Sequence, residues 1–205
     1  MATSVTWAGL ALLCFALTSH SAELPPPAYQ LAAHAANIPS EVLYSVALQE
    51  SGTPLRGQLV PWPWTLNVAG ASYRFATRAD ACTALIIALA QAGPKRVDVG
   101  LGQVNMGWNG QRFKSSNPCD ALNPYKNLDV AAQMLAELRA LGGDWITVAG
   151  RYHQLFGPVV KDVFRITVAG RYHRPAGGAP AANYRKAFAK HLSRVTGIQM
   201  LVTNP

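Results

Sequence analysis

The run NPYKNLDVAAQMLAELRALGG, residues 123 to 143, sets the terms for the fold. Leu128, Ala131, Ala132, Leu135 and Leu138 recur at spacings of three and four, which puts them on one face of a helix. A stripe of that kind is stable only when another element covers it. Four other segments offer themselves. YQLAAHAANI reads as a helix, and IPSEVLYSVALQESG as a second, with Ser40 as N-cap, Glu41 in the first turn and Gly52 as the stop. RADACTALIIALAQAG is a third, ended by Gly93, and AANYRKAFAKHLSRV is a basic last helix. Between them, TLNV and SYRFAT flank a turn containing Gly70 and read as a small β-hairpin. PKRVDVGLGQVNMGWN reads as a glycine-punctuated loop, and ELPPPAYQ as a linker whose prolines favour extended chain. The expected fold is mainly α, of α+β class, with one small β-hairpin.

Half of the residues are hydrophobic and 14% are charged, a folded rather than a disordered composition. Lys and Arg number 18 against 10 Asp and Glu, and the net charge of +8 suggests an anionic partner. No cluster of Arg and Lys is interleaved with aromatics, so no nucleic acid is expected. WAGLALLCFAL is an apolar run of the length of a secretory h-region, too short to favour a membrane span. Small and polar residues follow in TSHSAE, and cleavage after Ser21 or Ala22 is expected, although MATSV lacks the usual Lys or Arg. Residues 1–22 are thus read as a signal peptide and 23–205 as one domain with no stable membrane span. Leu13 argues against Cys14 as a lipoprotein cysteine. Export leaves Cys82 and Cys119, an even pair that reads as one disulfide. No CxxC or Cys/His spacing suggests a metal, and no cofactor is expected.

The stretch SVALQESG carries the chemistry. Leu43, Val46, Ala47 and Glu50 share one helical stripe, so Glu50 lies at the end of an apolar face. Burial there, and the partial negative charge of a helix C-terminus, both raise the pKa of a carboxyl. A glutamate that keeps its proton near neutral pH is a general acid. The plain alternative is a glutamate at a frayed, exposed helix end. GLGQ, Gly100 to Gln103, offers a close approach of backbone to a ligand, with Gln103 free to orient a hydroxyl or an N-acetyl group. Trp62 and Trp64 could stack on sugar rings or anchor the hairpin, and Asn67 could bond a sugar. The octapeptide ITVAGRYH occurs at 146–153 and again at 166–173. Its tyrosine is therefore ambiguous. The spacing from Asp144 favours Tyr152, whereas the run that follows Tyr172 looks more like an approach to the last helix. Either could instead be a buried tyrosine bonded to backbone.

QESG, GLGQ and RYH, in this order and separated by helices, resemble the motifs of the lysozyme-like domain of soluble lytic transglycosylases with a Glu-Ser motif. The chain is most similar to the specialised members that accompany type IV secretion, conjugation and pilus systems. The resemblance spans residues 28 to 192. It puts Glu50-Ser51 at the catalytic glutamate and the serine after it, and GLGQ at a Gly-Leu-Met-Gln motif, with Gly102 in place of methionine. RYH stands for Ala-Tyr-Asn, with histidine in place of asparagine. The fold so implied is lysozyme-like. The implied substrate is the glycan strand of peptidoglycan, whose stem carboxylates suit a basic protein, and the implied location is the periplasm. Glu50 would protonate the oxygen leaving MurNAc and then take the proton of the MurNAc 6-hydroxyl, which closes a 1,6-anhydro ring. Ser51, Gln103 and Tyr152 or Tyr172 would bind or position the sugar. Glycoside cleavage usually uses two carboxylates, and Asp98 lies near GLGQ with no spacing that ties it to Glu50. A muramidase of the same fold that uses water, and a non-catalytic wall-binding assembly protein, are the alternatives; an intact Glu50 argues against the second.

Overall fold

The computed structural model describes residues 22–154 and 179–200. The signal segment up to residue 21, with Cys14, and the second copy of the octapeptide, with Tyr172, lie outside the described residues. Helices α1 (Pro27–Ala35) and α2 (Ser40–Ser51) lead into β1 (Gly52–Leu55), β2 (Gln58–Pro61), β3 (Thr65–Val68) and β4 (Ala71–Arg74). Helix α3 (Arg78–Ala92) is followed by β5 (Val97–Val99), β6 (Val104–Asn105) and the single turn α4 (Met106–Asn109). After two short 3-10 turns come α5 (Pro124–Ala140), α6 (Trp145–Gln154) and α7 (Ala179–Thr196). The fold is mainly α with a small antiparallel sheet, as expected.

Helix α2 is the centre of the helical layer and packs against α1, α5 and α7. Every residue from Val42 to Leu48 is buried, so α2 has no polar face in its middle. The expected stripe is real, but the helix is covered on all sides. Its N-cap is Pro39 rather than Ser40, because the Pro39 carbonyl already accepts the Val42 amide. Leu128, Ala131, Ala132, Leu135 and Leu138 of α5 are all buried, as their periodicity requires. On α7, Tyr184, Phe188, Leu192 and Val195 form the corresponding stripe.

ELPPPAYQ is not a free linker. Pro27 opens α1, where a missing N–H costs nothing. Glu23 is held from two sides: its amide donates to Val195 O and its carboxylate pairs with Arg194 at 2.6 Å. Tyr44 adds a hydrogen bond of 2.9 Å to the same carboxylate.

The sheet has the order β4-β3-β5-β6, with every pair antiparallel. The β3–β4 hairpin is the expected one; Ala69 and Gly70 take positive φ at its turn, as a two-residue hairpin requires. The β1–β2 hairpin was not expected. Its turn residues Arg56 and Gly57 also take positive φ, a conformation that arginine does not announce in a sequence. The segment read as a loop contributes β5, β6 and α4. Val97 and Val99 alternate with Asp98, and β3 offers an edge for them to pair with. Leu66, Val99 and Val104 lie across one face and are buried in the core. Ser72, Asn67, Asp98 and Asn105 lie in register across the other, which is thus a polar face.

Cys82 of α3 is bonded to Cys119 across 37 residues of sequence. Closing a loop of that length contributes about 3–4 kcal/mol by the chain-entropy account. The first octapeptide copy supplies α6, whose Val148 and Ala149 are fully buried. Among the described residues no helix is long and apolar enough to cross a membrane.

Candidate active site

Glu50 stands in the last turn of α2, where the helix leaves the core. Gly52 makes the exit possible: a Cβ there would lie 2.2 Å from Leu48 O. Glu50 as a whole residue is half-buried, with its carboxyl turned into the protein. The Tyr184 hydroxyl, on α7, donates to its Oε1 at 2.7 Å. Burial pushes the Glu50 pKa up to about 7; the Tyr184 hydrogen bond opposes that rise and the negative charge of Asp98 adds to it.

Asp98 is the neighbour that spacing did not reveal. It sits in the polar row of the sheet and is 8% exposed. Asn105 Nδ2 donates to its Oδ1 at 2.7 Å. Burial raises its pKa to about 6, against the lowering effect of the Asn105 bond. Asn105 also accepts from the Gly107 and Trp108 amides, so the group that holds Asp98 is itself fixed to the start of α4.

The tyrosines fall differently from the expectation. Tyr152 is buried, and its hydroxyl donates to Gly102 O at 2.7 Å. Its pKa lies well above the ordinary value because of burial and then the charges of Glu50 and Asp98. Tyr152 therefore lies close enough to feel both carboxylates, but its hydroxyl is committed to backbone. Tyr172 lies outside the described residues. Tyr184, which no motif singled out, is the tyrosine whose hydroxyl contacts Glu50. Its signal was the apolar stripe it begins on α7, inside a segment whose five basic side chains, His191 included, suggest solvent. His153 stacks on Tyr184, with ring centroids 4.2 Å apart and planes at 14°.

GLGQ is shaped by the protein more than for a ligand. A Cβ on Gly100 would lie 2.3 Å from Asn127 Nδ2. Asn127 of α5 is fully buried; it accepts from Gly102 N and donates to Val99 O and Ala121 O. A Cβ on Gly102 would lie 2.7 Å from Ala131 Cβ and 2.8 Å from the Tyr152 hydroxyl. The space expected for a methionine beside the sugar is thus filled by the protein. Gln103 has φ of 46°, and its NH2 donates to Gly100 O and Thr65 O, which leaves the amide oxygen as the acceptor it can offer. Ser51 is buried and its hydroxyl lies 2.9 Å from both Ala47 O and Leu101 O. It joins α2 to GLGQ through these two backbone carbonyls.

Asn67 Oδ1 accepts from Gly70 N at 2.9 Å, which ties the side-chain oxygen to the hairpin turn. Trp62 donates to Phe75 O at 2.7 Å and meets Trp64 edge to face. Trp64 packs on the core, so these indoles anchor the hairpins. Among the described residues no group of three or more His, Cys, Asp or Glu is placed to hold a metal ion.

Glu50, Asp98, Tyr152 and Tyr184 thus form one electrostatically connected group drawn from α2, β5, α6 and α7. It can hold a proton near neutral pH beside a second carboxyl. No protein-family model, curated protein or solved structure matches the chain.

Proposed function

We propose that the protein is a peptidoglycan lytic transglycosylase that cuts the β-1,4 bond between MurNAc and GlcNAc without water. The observation that carries the reading is Glu50: a half-buried residue whose carboxyl has a pKa of about 7 and is held by the Tyr184 hydroxyl. In the protonated form it donates to the glycosidic oxygen as the bond from that oxygen to MurNAc C1 breaks. The substrate's N-acetyl group meets the positive charge at C1. The resulting carboxylate takes the proton of the MurNAc 6-hydroxyl, and the 6-oxygen bonds to C1. Glu50 is protonated again, and the products are a GlcNAc end and a 1,6-anhydroMurNAc end. The Tyr184 hydrogen bond favours the carboxylate form and so eases the first transfer.

The net charge of +8 suits a polymer with stem carboxylates. The Cys82–Cys119 disulfide is compatible with an exported, periplasmic protein. Local wall opening for a type IV secretion, conjugation or pilus assembly is the role the resemblance implies.

Asp98 favours a second reading, a muramidase in which a second carboxylate activates or replaces water. Its charge acts on Glu50, and it shares the polar face of the sheet. Release of soluble muropeptides from purified sacculi by the mature chain, and its loss in Glu50→Gln, tests enzymatic cutting. Release undiminished in Glu50→Gln would exclude Glu50 as the proton donor.

A further inference from the structure

His153 lies one residue after Tyr152 and faces away from it in role. Its imidazole covers the phenol ring of Tyr184 almost in parallel, at 4.2 Å between centroids. Tyr184 is buried, and its only described hydrogen bond is the one to Glu50. A single hydrogen bond at the far end of a phenol fixes the oxygen's distance but does not by itself set the plane of the ring. A flat partner on the ring face sets it. The helices can approach for this contact because Gly150 has no side chain: a Cβ there would lie 3.1 Å from Arg185 Cγ.

We propose that His153 is a positioning residue, whose ring fixes the plane of Tyr184 so that its hydroxyl is aimed at the Glu50 carboxyl. The inference rests on the reading of Glu50 as the proton donor. What matters is a flat ring rather than a charge. Burial lowers the His153 pKa, so the imidazole is neutral at neutral pH. The ionisable groups that act on Tyr184 are Glu50 from α2 and Tyr152 from α6; Arg185 follows it on α7, and Asp98 from β5 acts on Glu50 and Tyr152. Each is present in every variant compared below except Tyr184→Phe, and Glu50→Gln serves only to assign the signal.

The test is the titration of the Glu50 carboxyl by 13C NMR in the mature chain, with the signal assigned through Glu50→Gln. The parent midpoint is expected near 7. Tyr184→Phe removes the bond that lowers it and moves the midpoint up. His153→Ala is expected to move it the same way, by roughly half a unit to one unit, whereas His153→Phe keeps the parent value. If the alanine variant does not fold, His153→Leu fills the space without a flat ring and serves the same comparison. In parallel digests, His153→Ala is expected to lower kcat about tenfold at unchanged KM, with recovery in His153→Phe. A His153→Ala midpoint equal to the parent's, while Tyr184→Phe shifts, overturns the proposal. So does His153→Phe behaving like His153→Ala. A parent that releases no product overturns the enzymatic reading instead, and the titration still decides whether His153 aims Tyr184.

Discussion

The Tyr184 hydroxyl sits 2.7 Å from Glu50 Oε1 although 134 residues of sequence separate the two. The contact joins the last helix to the exit of the central one, and it acts on chemistry as well as on packing. A donor to the carboxylate lowers the Glu50 pKa against burial, which raises it. Tyr184→Phe is expected to lower turnover about 10- to 100-fold, the loss of one hydrogen bond to a charged group. The pH at which Glu50 loses its proton should also rise. A kcat–pH profile on purified glycan strands reads both effects.

The raised pKa of Glu50 predicts that activity and stability both fall as pH rises. The protonated form is the acid, so the parent's activity falls as pH rises through about 7. Stability follows from linkage. The native state holds this proton to about 7, whereas the ordinary value is 4.5. Between those values the folded chain binds more protons, and stability falls as pH rises. Asp98 acts in the same direction between 3.8 and about 6. Glu50→Gln removes the buried charge. It is expected to be more stable than the parent by about 2 kcal/mol near pH 8, less than the full shift implies because the glutamine loses the charge-assisted Tyr184 hydrogen bond. Urea unfolding of both chains at about pH 4 should show almost no difference.

Asn127 is the buried polar hub beneath GLGQ. Its amide serves Gly102 N, Val99 O and Ala121 O at 2.8, 2.9 and 3.0 Å. Asn127→Ala leaves three buried backbone groups without that partner. A loss of about 3–5 kcal/mol is expected in chemical denaturation. Asn127→Asp keeps the acceptor for Gly102 but faces two carbonyls with oxygen, and should be no better.

Gly102→Met would restore the residue of the resembled motif and is expected to harm this chain. Its Cβ would collide with Ala131 Cβ and the Tyr152 hydroxyl. Overpacking of this kind costs about 1–3 kcal/mol. The Tyr152–Gly102 bond should be lost as well. Gly102→Met combined with Tyr152→Phe would not recover the loss, since Ala131 remains in the way. Thermal unfolding of the three chains checks this.

The helices were legible where apolar spacing was regular and a stop followed, as in α3 with Gly93 and α5 with its five-residue stripe. The β3–β4 hairpin announced itself through Gly70. Strand β5 did not, because three residues between glycines and basic side chains carry too little period-two signal, although Val97, Asp98 and Val99 alternate as a strand should. Asp98 was missed as a partner of Glu50 for that reason. Asn127 falls at the edge of the α5 apolar stripe, one turn before Ala131, and its hydrogen-bond partners depend on where the GLGQ backbone runs, which spacing does not show. Tyr184 was hidden by its basic neighbours. The exact repetition of ITVAGRYH drew attention to Tyr152 and Tyr172 instead, and spacing cannot show that the Tyr152 hydroxyl turns to Gly102.

The central claim is that Glu50 transfers a proton to the glycosidic oxygen and then receives one from the 6-hydroxyl, with no water consumed. Digestion of purified peptidoglycan by the mature chain in 18O-labelled water, followed by mass spectrometry, tests it most directly. The account predicts 1,6-anhydro ends without label, lighter by one water than hydrolysed ends, and none from Glu50→Gln. Reducing ends that carry one 18O atom would contradict it and assign the second step to water, with Asp98 as the carboxylate that remains to be explained.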